Sequence, residues 1–272
     1  MTGNIGAFFA IKAKISPKIQ KNKRREQKNL TIVESYVLWE NKGVIAMHTS
    51  KMEAIYKHME KTASALRRNR MQAEIVNTRS EAREKLKEYL KEGDVIAVGG
   101  SETLKEIDAF EILRDPKYRF LDRYEKDVDR SVIEERMRGA FSADVFVTST
   151  NAVTMDGELY NVDGNGNRVA PMIFGPKSVV VIAGYNKIVK DIDAAAQRVK
   201  TIAAPSNALR LNSDTYCART GVCNGLRQDL YEPGICGGCH TPGRLCCDYV
   251  IMSQQRVEGR VKVILVGEVL GF

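Results

Sequence analysis

Short, nearly continuous apolar runs alternate with helical patterns along most of the chain. The runs at residues 94–98, 144–148, 178–183 and 261–266 consist mainly of Val, Ile, Ala and Leu. Such runs are typical of strands that are buried on both faces. Strands that alternate with helices predict an α/β fold with a mostly parallel sheet flanked by helices. We expect one such domain over residues 47–272.

The spacing of apolar residues predicts the helices between these runs. Ile55, Met59, Ala63 and Leu66 recur at helical spacing, and Thr78 with Glu81 forms a capping-box pattern. Helices are predicted at about 52–69, 79–93, 101–113, 132–141 and 188–201, with short strands at 75–76 and 119–121.

Basic residues concentrate near the start of the chain. Residues 1–46 hold nine Lys or Arg against three Glu, which is +6 of the total net charge of +8. The nearly neutral remainder lacks the charge pattern of a nucleic-acid-binding protein. The residues Lys42-Gly43-Val44 are compatible with the codons of a bacterial ribosome-binding sequence, and Met47 follows. We therefore expect residues 1–46 to be a basic extension that is either not native or disordered.

Neither a membrane span nor a secretion signal is evident. No apolar stretch approaches the roughly 20 residues that a membrane helix needs. The apolar stretch at residues 5–11 is short for a signal peptide and is followed by lysines. We expect a cytoplasmic protein, whose thiols are kept reduced.

The first candidate site is a glycine turn. Gly99 and Gly100 follow the strand at 94–98, and Ser101 and Thr103 stand at the start of the next helix. Backbone N–H groups and hydroxyls in such a turn can contact a small anionic ligand. A tight strand-to-helix turn with Ser101 or Thr103 as its N-cap explains the same residues.

The second candidate site follows the strand at 144–148, where ligands of parallel sheets bind. Carboxylate, amide, hydroxyl and cationic groups are spaced between glycines here, and Arg168 is suited to binding a carboxylate or phosphate. The candidate ligand-binding residues are Asn151, Thr154, Asp156, Asn161, Asp163, Asn167, Arg168 and Lys177. Two turns, at 155–158 and 163–166, without a ligand are the alternative. No residue is identified as catalytic.

The third candidate site is a cysteine-rich segment, residues 212–248, inserted in the last third of the domain. All six cysteines lie within it: Cys217, Cys223, Cys236, Cys239, Cys246 and Cys247. Two thiolates separated by Gly237-Gly238 can bind one metal ion. Soft ligands favour zinc or an iron–sulphur cluster, between which the sequence does not decide. A redox dithiol and unliganded thiols are the other interpretations.

Several motifs resemble the LUD-domain family, of the LutC/YkgG type of lactate-utilisation protein. They are Val-Gly-Gly-Ser-x-Thr-Leu-x-Glu-Ile (98–107), Thr-Asn-Ala-Val-Thr-x-Asp-Gly-x-Leu-x-Asn-x-Asp-Gly-x-Gly-Asn-Arg-Val-Ala (150–170) and Gly-Pro-Lys (175–177). Asn-Lys-Ile-Val (186–189) and the segment 266–272 fit as well, so the resemblance covers about 52–272.

The resemblance implies a fold similar to the NagB/RpiA/CoA-transferase group. It also implies a role in oxidation of L-lactate to pyruvate, as a non-flavin subunit beside separate iron–sulphur subunits. Related chains often carry Cys-x5-Cys-x2-Cys-x6-Cys near their C-terminus. The matching residues here, Cys217, Cys223, Cys239 and Cys246, are the metal ligands that the resemblance implies. An insertion adds Cys236, and Cys247 is also extra; these two are possible further ligands.

Other functions remain open on the sequence. The fold group and the glycine turn are also compatible with a stand-alone enzyme or binding protein for a phosphorylated sugar, a nucleotide or a CoA-like ligand. A structural or regulatory binding module is the third class, and a homo-oligomer is possible in each case. No flavin fingerprint is present, so a complete dehydrogenase in this one chain is not expected.

Overall fold

Ten strands among the described residues form two sheets. The computed structural model describes residues 49–226 and 235–272. The strands of this part are β1 (Gln72–Val76), β2 (Val95–Val98), β3 (Arg119–Phe120), β4 (Val145–Thr148), β5 (Ala152–Thr154), β6 (Leu159–Asp163), β7 (Ser178–Gly184), β8 (Ile188–Val189), β9 (Asp248–Met252) and β10 (Val261–Val266). The predicted extension, residues 1–46, lies outside the described residues.

The helices of the described residues are mostly short. They are α1 (Thr49–Arg68), α2 (Arg79–Glu88), α3 (Glu102–Glu106), α4 (Ala109–Leu113), α5 (Arg130–Gly139), α6 (Val169–Ile173), α7 (Ile192–Arg198), α8 (Ala204–Arg210) and α9 (Tyr216–Thr220), with a π-helical turn at Val199–Ala203. Residues 53–272 form one compact unit. No helix among the described residues is long and apolar enough to cross a membrane.

The main sheet has six strands in the order β1-β10-β7-β4-β2-β3. Every adjacent pair is parallel. Alternate residues of β7 face opposite sides: Val179 and Val181 pack in one apolar cluster, and Val180 and Ile182 pack in another. Helix α1 supplies Met59 and Leu66 to the first cluster, and helices α2 to α4 cover the second. The prediction of a mostly parallel sheet flanked by helices is confirmed.

A second sheet of four strands, in the order β8-β5-β6-β9, was not predicted. Strands β5 and β6 are antiparallel and joined by the turn at 155–158, where a hairpin turn had been predicted. Strand β9 also pairs antiparallel with β6 and follows the cysteine-rich segment. Three-residue and two-residue strands such as β5 and β8 are too short to give a recognisable apolar pattern.

Two predicted helices have different bounds in the structure. The helix expected at 101–113 is split into α3 and α4 at Asp108, whose backbone is left-handed with φ of 53°. The helix expected at 188–201 begins only at Ile192, because Asp191 accepts a hydrogen bond from the N–H of Ala194 and caps it there. It then continues through the π-helical turn to Arg210.

The turn between β5 and β6 packs directly on helix α1. Gly157 has a φ of +83°, and a Cβ atom there would lie 2.6 Å from the backbone carbon of Ala65. The side-chain amide of Asn69 donates hydrogen bonds to the carbonyls of Asp156 and Gly157. A glycine is therefore required both by the backbone conformation and by the close approach to the helix.

We expect Gly157→Ala to be much more destabilising than Gly93→Ala. Gly93 has the same φ of +83°, but a Cβ atom there meets nothing within 4 Å. The control thus reports only the left-handed backbone, at a cost of about 1–2 kcal/mol, and Gly157→Ala adds the overlap with α1. Urea unfolding of both variants measures the difference. Equal losses of stability would show that the hairpin moves off α1 freely.

Candidate ligand-binding cleft and thiol cluster

A polar cleft lies at the carboxyl ends of three adjacent strands of the main sheet. Gly100 and Ser101 follow β2, Ser149 to Asn151 follow β4, and Lys187 follows β7. Its volume is about 340 Å³. This is the edge at which ligands of parallel α/β sheets bind. Among the predicted ligand-binding residues, those that line the cleft are Gly100, Ser101, Asn151, Asp163, Asn167 and Arg168.

Arg168 organises the wall of the cleft. Its guanidinium is buried and donates to the carbonyls of Ser149 and Val162 and to the side-chain oxygens of Asn151 and Asn161, at 2.8–3.2 Å. Its backbone N–H donates to the carboxylate of Asp163, and its Nε lies 3.8 Å from that carboxylate. Burial lowers the pKa of Arg168. The structure brings together four of the predicted residues here, in a network within the protein.

Position 99 has no room for a side chain, because the backbone of Gly99 packs against Thr148 and Arg168. A Cβ atom at Gly99 would lie 2.5 Å from Thr148 Oγ1 and 2.8 Å from Cγ of Arg168. Ser101 accepts a hydrogen bond from the N–H of Leu104 and is the N-cap of α3, which was one of its two interpretations. It also faces the cleft, so its role in ligand binding stays a prediction.

Three predicted residues lie elsewhere. Thr154 and Asp156 belong to the β5–β6 hairpin: the Thr154 hydroxyl bonds to Glu158, and the Asp156 carbonyl accepts from Asn69. Lys177 precedes β7 and pairs with Asp144, which precedes β4, at 3.3 Å. Lys177 and Asp144 therefore lie at the amino ends of their strands, whereas the cleft lies at the carboxyl ends.

Lys187 is a buried cation in the cleft that was not predicted. Its side-chain Nζ lies 2.9 Å from Thr103 Oγ1 and 3.0 Å from Ser149 Oγ, and the residue is 3% exposed. Burial, then the charges of Arg198 and Arg168, lowers the pKa of Lys187 to about 7. Its position just after the carboxyl end of an apolar strand was the signal that could have identified it.

Other side chains from separate elements complete the cleft. Arg123 and Tyr124 follow β3, with the Arg123 guanidinium 5.6 Å from the Tyr124 ring centre. Arg210, at the end of α8, bonds to Asn207 and lies 3.5 Å from Glu102. Arg198, also not predicted, donates to the carbonyls of Asn186 and Asn151, and burial lowers its pKa to about 10.

A small cavity of about 20 Å³ adjoins the cleft and is lined by four cysteines. These are Cys217, Cys223, Cys239 and Cys246, the same four that match the spacing of related chains, whereas Cys236 and Cys247 are exposed. All six are free thiols. Burial, then the charges of Cys223 and Cys217, raises the pKa of Cys246 to about 12. Val199, Ala204, Leu245 and Cys246 line both the cavity and the cleft.

The four thiols match a soft metal in donor chemistry. Among the described residues, however, no three His, Cys, Asp or Glu side chains stand close enough together to hold a metal ion. Metal binding therefore stays a prediction.

Arg244 links the loops that carry the cysteines. Its guanidinium donates to the carbonyl oxygens of Cys236, Cys239 and Cys246 at 3.1 Å or less. The segment is also tied to the rest of the domain, because the N–H of Cys223 donates to the carbonyl of Lys200 and that of Cys247 to the carbonyl of Asp163. The backbone around the thiols is therefore fixed by hydrogen bonds within the protein.

Comparison with known proteins identifies the class to which this fold and cleft belong. The model of the LUD domain matches residues 59–266. The chain therefore belongs to the LUD-domain family, which is associated with lactate utilisation. No curated protein matches the chain.

Two solved structures are similar to parts of the chain. One is a DUF162 family protein from Deinococcus radiodurans, solved at 1.70 Å resolution; it is 12% identical, with 79% of this chain and 98% of that chain covered and a TM-score of 0.40. The other is eIF2B beta from Chaetomium thermophilum, which is 15% identical, with 42% and 44% covered and a TM-score of 0.29.

The buried Lys187 should make the stability of the protein depend on pH. Its pKa is about 7 in the folded protein against an ordinary value of 10.5, so the unfolded chain binds more protons between these values. The free energy of unfolding should therefore rise with pH in this window, by up to ~1.4 kcal/mol per unit. Below about pH 7 the lysine is charged in both states, and its contribution is constant.

The variant Lys187→Met has no titratable group at this position, so it should lack the pH-dependent contribution of Lys187 to the free energy of unfolding. Urea unfolding between pH 6 and 10 gives the difference between wild type and variant, which we expect to grow with pH above about 7. The exposed Lys126 provides the control, since Lys126→Met should follow the wild type. A constant difference between wild type and Lys187→Met would contradict a depressed pKa for Lys187.

Proposed function

We propose that the chain is a non-flavin subunit of a lactate-utilisation system that oxidises L-lactate to pyruvate, and that its cleft binds the acid. Membership of the LUD-domain family supports the pathway. The observation that carries the proposal is the charge of the cleft. Four cations line it, Arg123, Arg168, Lys187 and Arg210, against Glu102 and Asp163 among the described residues.

The pairing of these charges favours a small monoanion. Arg168 lies beside Asp163, and Arg210 beside Glu102. Arg123 and Lys187 form no ion pair among the described residues, and Lys187 is only partly charged near neutral pH, since its pKa is about 7. The side chains that line the cleft thus carry an excess of between one and two positive charges. A carboxylate such as lactate or pyruvate complements it.

Oxidation of lactate to pyruvate removes two electrons and two protons. We assign the electron acceptor to partner subunits that carry iron–sulphur clusters, because this sequence has no flavin fingerprint. The chain would then position the acid within a multi-subunit assembly. The chain purified on its own should have no dehydrogenase activity. Activity should appear when the partner subunits are added.

Binding of L-lactate and pyruvate to the purified chain tests the role of the cleft. Arg123→Gln should weaken binding about 10- to 100-fold, as expected for loss of one charge-assisted contact of about 1.5–3 kcal/mol. Arg130→Gln is the matched control, because the Arg130 side chain is 92% exposed on helix α5. Isothermal titration calorimetry measures both. Equal affinities in the two variants would remove Arg123 from the site.

We also propose that Cys217, Cys223, Cys239 and Cys246 hold one metal centre, for which their thiols must come closer together than they stand among the described residues. A cavity of 20 Å³ is close to the 10–15 Å³ that accommodates a single water molecule. This size favours a single ion, such as zinc, over an iron–sulphur cluster. The ion would hold four loop positions together and stabilise the wall that the cavity shares with the cleft.

Metal analysis of protein purified without oxygen tests the centre. We expect about one equivalent of zinc in the wild type and its loss in Cys239→Ser, with lower affinity for the acid because the shared wall loosens. Cys247→Ser should keep the metal, since Cys247 is exposed and outside the cavity lining. Matching amounts of iron and sulphide would indicate a cluster instead. Metal-free protein with six titratable thiols would exclude both.

A second candidate function is binding of a phosphorylated sugar, a nucleotide or a CoA-like ligand by a stand-alone enzyme or binding protein. The volume of the cleft favours it, because 340 Å³ lies within the range of about 300–1,000 Å³ that is typical of drug-sized ligands. A three-carbon acid would leave much of this volume to water or to a partner. The same calorimetry with sugar phosphates and nucleotides separates the two candidates.

A further inference from the structure

Lys187 holds the one amine in the described cleft lining, and its hydrogen bonds match those of a neutral amine. Nζ contacts the hydroxyls of Thr103 and Ser149. The Thr103 hydroxyl donates its hydrogen to the carbonyl of Leu270, and the Ser149 hydroxyl donates to that of Thr150, each at 3.4 Å. Each hydroxyl has a single hydrogen, so both oxygens accept from Nζ.

A neutral amine has two N–H groups, which donate hydrogen bonds, and a lone pair in the position where a charged amine carries its third hydrogen. Among the described residues, Nζ has these two hydrogen-bond partners. Lys187 lines the cleft while the residue is only 3% exposed, so a ligand that reaches Nζ does so from the cleft. A neutral amine with a free lone pair is a nucleophile towards carbonyl carbon.

We propose that Lys187 forms an imine with the carbonyl carbon of a small 2-oxo acid bound in the cleft. The lone pair of Nζ attacks the carbonyl carbon, and a C–N bond forms as the carbonyl π bond breaks. Both amine hydrogens then leave with the carbonyl oxygen as water, which produces the C=N bond. The step needs no oxidant or reductant. Arg123 and Arg210, which line the same cleft, are suited to hold the carboxylate.

The surroundings of Lys187 lower its pKa to about 7, so a large fraction of the amine is neutral near physiological pH. Burial is the largest cause of the lowered pKa, and the positive charges of Arg198 and Arg168 add to it, whereas the negative charge of Glu106 opposes it. An ordinary lysine would be almost wholly protonated at pH 7 and unreactive. Lys187 is thus in the state that imine formation requires at a pH where exposed lysines are not.

The choice of a 2-oxo acid rests on the proposed function, whereas the reactivity of the amine does not. The full-length protein is incubated with pyruvate and borohydride, which reduces an imine to a stable amine, and the modified lysines are mapped by mass spectrometry of peptides. We expect one dominant adduct, on Lys187, with half-maximal formation near pH 7. L-lactate has no carbonyl carbon at the same position and should give none.

Lys187→Arg should abolish the adduct, and Lys190→Arg, at an exposed position three residues away, should leave it unchanged. Should Lys187→Arg fail to fold, the mapped wild-type adduct decides alone. Labelling spread evenly over exposed lysines, or no label on Lys187, overturns the inference. Calorimetry with L-lactate distinguishes a failure of the imine proposal from a failure of the proposed function. Lactate binding without an adduct rejects only the imine, and an adduct without lactate binding rejects only the lactate role.

Discussion

The buried guanidinium of Arg168 is the interaction on which the cleft depends. Its four donated hydrogen bonds join the loop after β4, through Ser149 and Asn151, to strand β6, through Asn161 and Val162. It thereby fixes the second sheet against the carboxyl edge of the main one. An apolar side chain at 168 would leave several buried acceptors unpaired, each at a cost of about 1–3 kcal/mol. The network is also why Gly99 has no room for a side chain.

A second consequence is an excess of positive charge beneath the cleft. Arg168, Lys187 and Arg198 are all buried. Among the described residues, Asp163 is the carboxylate that forms an ion pair with one of them, Arg168. Buried charges of one sign raise each other's energy, and the group that can lose its proton most easily does so. Arginine cannot do this near neutral pH, so Lys187 loses part of its charge, through burial first and then through repulsion from Arg198 and Arg168. The same repulsion favours any anion that enters the cleft.

The main sheet could be predicted from the sequence because each central strand is apolar on both faces, and β4, β7 and β10 are almost wholly buried. The second sheet could not, since β5 and β8 have only three and two residues. Several residues of the motif at 150–170 line the cleft, yet some of its polar groups bind to one another. Asn161 and Asp163 hold Arg168, which composition alone does not distinguish from ligand binding. Lys187 was missed although it lies in the Asn-Lys-Ile-Val motif at 186–189, because a single lysine after a strand does not by itself indicate a binding group.

The thiol cavity and the cleft are physically coupled, because Leu245 and Cys246 contribute to both. On one side of this wall, Asp163 bonds to Arg168 through its carboxylate and to the N–H of Cys247 through its carbonyl. On the other, Arg244 holds the carbonyl of Cys246. A change in the position of Cys246 should therefore move groups that line the cleft. Because interiors are close-packed, a shift of this kind passes across the wall rather than being absorbed in it. Occupancy of either site should accordingly alter the affinity of the other by the same factor.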